Sequence, residues 1–78
     1  MDERWWRANG RTVKGRLTRA ERVIRTDPGK SWREAQAVFA LMDEYGYPDW
    51  WSRVERLASD ASWAINHPRT GEREETRR

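Results

Sequence analysis

The sequence predicts an all-α fold. Three main helices, at about 18–26, 32–45 and 49–66, form a small bundle; an N-terminal Trp-rich segment (short helix or hairpin) packs on it, and a disordered C-terminal tail follows. Three observations lead there. Apolar residues in the second half of the chain recur at three- and four-residue steps, the period of one helix face. Asp27-Pro28-Gly29-Lys30, Gly46 and Pro68 punctuate those runs with turn and stop chemistry. Although 37% of the residues are charged and 36% apolar, six Trp, two Tyr and one Phe concentrate apolar area into few positions. A chain of 78 residues can then close one core. The expected division is a Trp/Arg segment at 1–10, a helical domain at 11–66 and a polar tail at 67–78.

Residues 1–10 admit two readings. Asp2 can cap a short helix through Trp5, Trp6 and Ala8 that closes at Asn9-Gly10. The same Asn9-Gly10 pair is a hairpin signal between RWWRA and RTVKG. The first main helix is expected to open at the Thr18-Arg19-Ala20-Glu21 capping pattern and to end near Thr26. Val13, Leu17, Ala20 and Ile24 share one helical face, so a start near Thr12 is the alternative. That longer helix would hold Gly15 in its interior at a cost of about 1 kcal/mol.

For the second helix, Ser31-Trp32-Arg33-Glu34 is another capping box, and Gly46 a natural stop. Ala35, Val38, Phe39, Met42 and Tyr45 line its apolar face. The third helix starts near Pro48 or Asp49, carries the stripe Trp50, Val54, Leu57, Ala61, Ala64 and Ile65, and ends before Pro68. The core is expected from Leu17, Ile24, Val38, Phe39, Met42, Trp50, Val54, Leu57 and Ala61. The tail HPRTGEREETRR has no apolar residue and is expected to be disordered.

Composition excludes several functions. No run approaches eighteen apolar residues, so no membrane span is expected. The acids of MDERWWRANG do not suit a signal peptide. Zero cysteines remove disulfides, thiolate metal sites and a cysteine nucleophile, and a cytoplasmic setting is expected. The single histidine, His67, beside Pro68, suits a helix C-terminus better than a general base with an orienting partner. Gly29-Lys30-Ser31 matches the end of a Walker A loop, but Ile24 stands where its first Gly belongs, and no parallel sheet fits. The helix-turn-helix template fits neither turn: Gly29 sets Arg25 and Ala35 at its small and apolar positions, and Gly46 sets Met42 and Ser52. No catalytic residue, metal ligand or cofactor is assigned, and no enzyme activity is expected.

Charge is uneven. Residues 1–25 carry eight Lys/Arg against three acids, 26–52 two against five, and 53–78 six against five. Fourteen of the sixteen basic residues are Arg, a ratio that GC-rich coding alone would favour. Trp and Arg also dominate interface hot spots. The expected function is therefore a non-catalytic protein-interaction or regulatory module, such as an inhibitor or adaptor encoded by a phage or mobile element. Its partner-binding candidates are Trp63, Arg56, Trp5 and Trp6. Trp63 falls opposite the third helix's apolar stripe, beside Ser52, Arg56 and Ser59. Either the Trp5/Trp6 segment covers it or a partner does. The alternative function is nucleic-acid binding through Arg4, Arg7, Arg11, Lys14, Arg19, Arg22 and Arg25, with Trp5 and Trp6 stacking on unpaired bases. Against it stands internal neutralisation of those cations by Asp43 and Glu44.

Overall fold

A computed structural model describes residues 1–67 and contains α1 (Glu3–Arg22), α2 (Pro28–Tyr45) and α3 (Trp51–Asn66). The all-helical, three-helix fold is the expected one, with no strand among the described residues. None of these helices is long and apolar enough to cross a membrane. The expected tail lies, from residue 68 onward, outside the described residues.

The first helix differs from the sequence reading at both ends. It begins at Glu3, not at Thr18 or Thr12, and stops at Arg22, short of Thr26. The Asn9-Gly10 hairpin does not form: the Asn9 amide donates to the Trp5 carbonyl at 3.0 Å, one turn back inside the helix. Asp2 caps the start by accepting the Trp5 backbone N–H at 3.0 Å. Two interior glycines cost about 1 kcal/mol each, but the seam Trp6, Gly10, Val13, Leu17 and Ala20 is buried along the whole helix. Burial of that seam outweighs the propensity cost.

Both Ser/Thr-x-x-Glu patterns serve contacts between helices rather than caps. α2 opens earlier, at Pro28, where Asp27 accepts the Lys30 N–H at 3.1 Å. Ser31, fully buried, donates instead to the Ala20 carbonyl of α1 at 2.7 Å. Glu34 receives Arg16 of α1 at 2.9 Å. Thr18 lies inside α1 and accepts from Arg53 of α3 at 2.8 Å, and Glu21 pairs with the same guanidinium at 2.9 Å. At the opposite end the Asp2 N–H donates to the Tyr45 carbonyl at 2.7 Å, so α1 and α2 run antiparallel.

α2 ends at Gly46, whose φ of +92° only glycine adopts readily. A Cβ there would stand 2.5 Å from the Met1 Cα, so the position is closed to side chains on both counts. α3 then starts at Trp51, two residues later than expected, with Trp50 as its N-cap. It lies chiefly along α2.

Of the nine expected core residues, Leu17, Val38, Met42, Val54, Leu57 and Ala61 are buried. Ile24, Phe39 and Trp50 are only half-buried and pack against the core from outside. Ile24 and Trp50 lie in the turns flanking the shifted helix ends, and Phe39 sits at the edge of α2's buried face. The core instead gains Trp6, Val13, Ala20 and Ala35.

Two substitutions test this arrangement. A Cβ at Gly15 meets nothing within 4 Å. Gly15→Ala should therefore stabilise by roughly 0.5–1 kcal/mol, raising the melting temperature by several degrees. Ser31→Ala should destabilise by about 1–3 kcal/mol by removing a buried hydrogen bond. Thermal melts followed by circular dichroism read both. A lowered melting temperature for Gly15→Ala would exclude an unbroken α1.

Candidate nucleic-acid interface

The aromatic candidates separate into different roles. Trp6 is 7% exposed, and its indole N–H points at the Tyr45 and Gly46 carbonyls, 3.2 and 3.1 Å away. Its ring meets Trp5 and Trp50 edge-on, with centroids at 4.9 and 5.3 Å. Trp5 stacks on Tyr45 at 4.0 Å and is half-buried. Both rings pack between helices, Trp6 buried and Trp5 half-buried, and the expectation that this segment covers Trp63 is corrected. Their place is the junction of α1, α2 and the start of α3. Trp63 lies about 18 Å further along α3.

Trp63 itself is 63% exposed. Its ring stacks on His67 at 4.1 Å, and His67 Nδ1 donates to the Trp63 carbonyl at 2.8 Å, capping α3. The histidine accordingly serves the helix end, as its position suggested. Arg56 is exposed on the same outward face, two turns before Trp63, and His67 rather than Arg56 is the ring's neighbour.

The basic candidates are brought together. Arg4, Arg7, Arg11, Lys14, Arg19, Arg22 and Arg25 are all exposed. Because α1 is continuous, Arg4, Arg7, Arg11, Lys14 and Arg22 fall within an arc of about 80° on its surface. They extend over roughly 27 Å of helix, with Thr18, which accepts from Arg53 of α3, in the same arc between Lys14 and Arg22. Arg19 lies off the edge of this stripe, and Arg25 follows in the turn after α1. Lys14 rests 5.7 Å from the centroid of Trp50, a cation–π contact that places the stripe beside the start of α3.

Among the described residues, Asp43 and Glu44 form no ion pair with these cations. The ion pairs among those residues are Arg16–Glu34 and Arg53–Glu21, and neither involves the seven cations. Glu34 and Glu21 are thereby occupied by cations outside the stripe. Thr18, Glu21 and Glu34 fall in the Ser/Thr-x-x-Glu patterns read as caps, whereas no local pattern marks Arg16 or Arg53, the cations that reach them. That spacing also sets two polar groups one helical turn apart, where a guanidinium from a neighbouring helix can reach them.

Compared with protein-family models, with curated proteins and with solved structures, the chain matches none.

The Arg53 hydrogen bond and charge hold the Glu21 carboxyl below its ordinary value, against the opposing effect of burial. The same hydrogen bond raises Arg53. With the folded value lowered, the pair's contribution is fully present above the ordinary carboxyl value of about 4.3 and is lost as pH falls through Glu21's lowered value. Both partners are partly exposed, so Glu21→Gln should cost no more than about 1 kcal/mol at neutral pH. The gap in melting temperature between wild type and Glu21→Gln should narrow below about pH 4.3. A gap that stays constant to pH 2 would exclude the ion pair as a source of stability.

Proposed function

We propose that this chain is a non-catalytic binding module that docks on a nucleic-acid backbone through α1. The observation that carries the reading is the exposed stripe of Arg4, Arg7, Arg11, Lys14 and Arg22 on one uninterrupted helix, unmatched by any described acid. A stripe of about 27 Å matches some eight phosphates of one strand at 3.4 Å each. The polar side chains in or beside the stripe are already engaged, Asn9 with the Trp5 carbonyl and Thr18 with the Lys14 carbonyl and Arg53. Such a surface favours backbone contacts, which position a protein without reading sequence.

A second reading keeps the expected protein-interaction role. It is favoured by Trp63 and Ile65, which are 63% and 45% exposed near the end of α3. A partner held there would be lost in Trp63→Ala, with the melting temperature and any nucleic-acid binding retained.

Titration of a fluorescent 20-base-pair duplex and a 20-nucleotide single strand at rising salt tests the first reading. Affinity should fall steeply, with a log–log slope on duplex of about −4.5 for five phosphate contacts. The double variant Arg7→Gln, Arg11→Gln should weaken binding for all sequences and make the slope shallower by about two. Absence of binding to either probe at about 50 mM salt would sink this reading.

A further inference from the structure

At the far end of the stripe, where the turn at 23–27 joins α1 to α2, an open cleft of about 390 Å³ lies beside the Ser31–Ala20 contact. Arg16, Arg19 and Arg22 of α1 and Lys30 of α2 line it, with Glu34 as the one acid. Glu34 is already held by Arg16 at 2.9 Å, so Arg19, Arg22 and Lys30 remain exposed around the opening with no described counter-ion. Arg22 belongs both to this cleft and to the stripe. The Lys30 backbone N–H is taken by the Asp27 cap, so side chains rather than main-chain amides are the donors on offer.

We propose that this cleft binds a phosphate monoester, supplied either by the terminal phosphate of a strand lying along α1 or by a free phosphorylated small molecule. The chemistry favours an end over an internal backbone position. An internal phosphodiester has one negative charge and two unbridged oxygens. A terminal monoester carries close to two charges at neutral pH and three strong acceptor oxygens. Three cations around one opening suit the second group, and Arg can fork onto two of its oxygens. The cleft also supplies the room that a flat helix face lacks. The strand-end version rests on the proposed nucleic-acid role; the small-molecule version does not.

The test compares 12-nucleotide strands of one sequence bearing a 5′-phosphate, a 3′-phosphate or only hydroxyl ends, by fluorescence anisotropy. Inorganic pyrophosphate is titrated separately against the 15N-labelled chain. A phosphorylated end should tighten binding about fivefold or more over the hydroxyl-ended strand. Lys30→Gln, whose side chain is exposed and off the stripe, should abolish that preference and leave hydroxyl-ended affinity nearly unchanged. Pyrophosphate should shift the resonances of Arg19, Arg22 and Lys30 saturably in wild type and not in Lys30→Gln. Equal affinity for all three strands, with no saturable pyrophosphate shift, overturns the cleft even where strands bind. If no strand binds but pyrophosphate saturates the three residues, the small-molecule source holds and the nucleic-acid role fails. If nothing binds, both fall.

Discussion

The indole N–H of Trp6 lies between the carbonyl oxygens of Tyr45 and Gly46, and the aromatic contacts of the start of α1 are arranged around that junction. Trp6 comes from the start of α1, the two carbonyls from the end of α2, and Trp50, edge-on to the Trp6 ring, from the entry to α3. One side chain therefore joins all three helices. Its burial brings the opening turns of α1 onto the bundle, and α1 then stays helical through Gly10 and Gly15 despite their propensity cost. The bare positive-φ glycine at 46 lets the chain turn beneath Met1 so that the two carbonyls can meet the indole.

Much of this fold was legible in the sequence, because three- and four-residue apolar spacing marks α2 and α3 directly. The extent of α1 was not. Asn9-Gly10 and Gly15 are local signals against a helix, and the burial that overrides them depends on residues 45 and 46, far along the chain. The caps failed for a related reason. Ser31 and Thr18 stand at the spacing of an N-cap, yet Asp27-Pro28 supplies the real start of α2, and Asp2 the real start of α1. A Ser or Thr inside a helix is then free to bond sideways, which no local pattern distinguishes from capping.

For the binding surface, residue type was readable but role was not. All seven basic candidates face solvent, as a polar helix face should. Their alignment into one stripe required the continuity of α1, which joins Arg4 and Arg7 to Arg11, Lys14 and Arg22. Trp5, Trp6 and Trp63 are chemically alike, and only tertiary placement separates two structural indoles from one left in water.

The links between α1 and α3 have a consequence for how the molecule breathes. Trp6 against Trp50, Lys14 over Trp50, and Arg53 on Thr18 and Glu21 all fall at the beginning of α3. Its later turns lean chiefly on α2. Amide protection should therefore be graded along α3, deepest near Val54 and Leu57 and shallowest near Trp63, where opening releases the fewest buried contacts. The last turns of α3 can then unwind and reclose as a small cooperative unit while the junction around Trp6 stays shut.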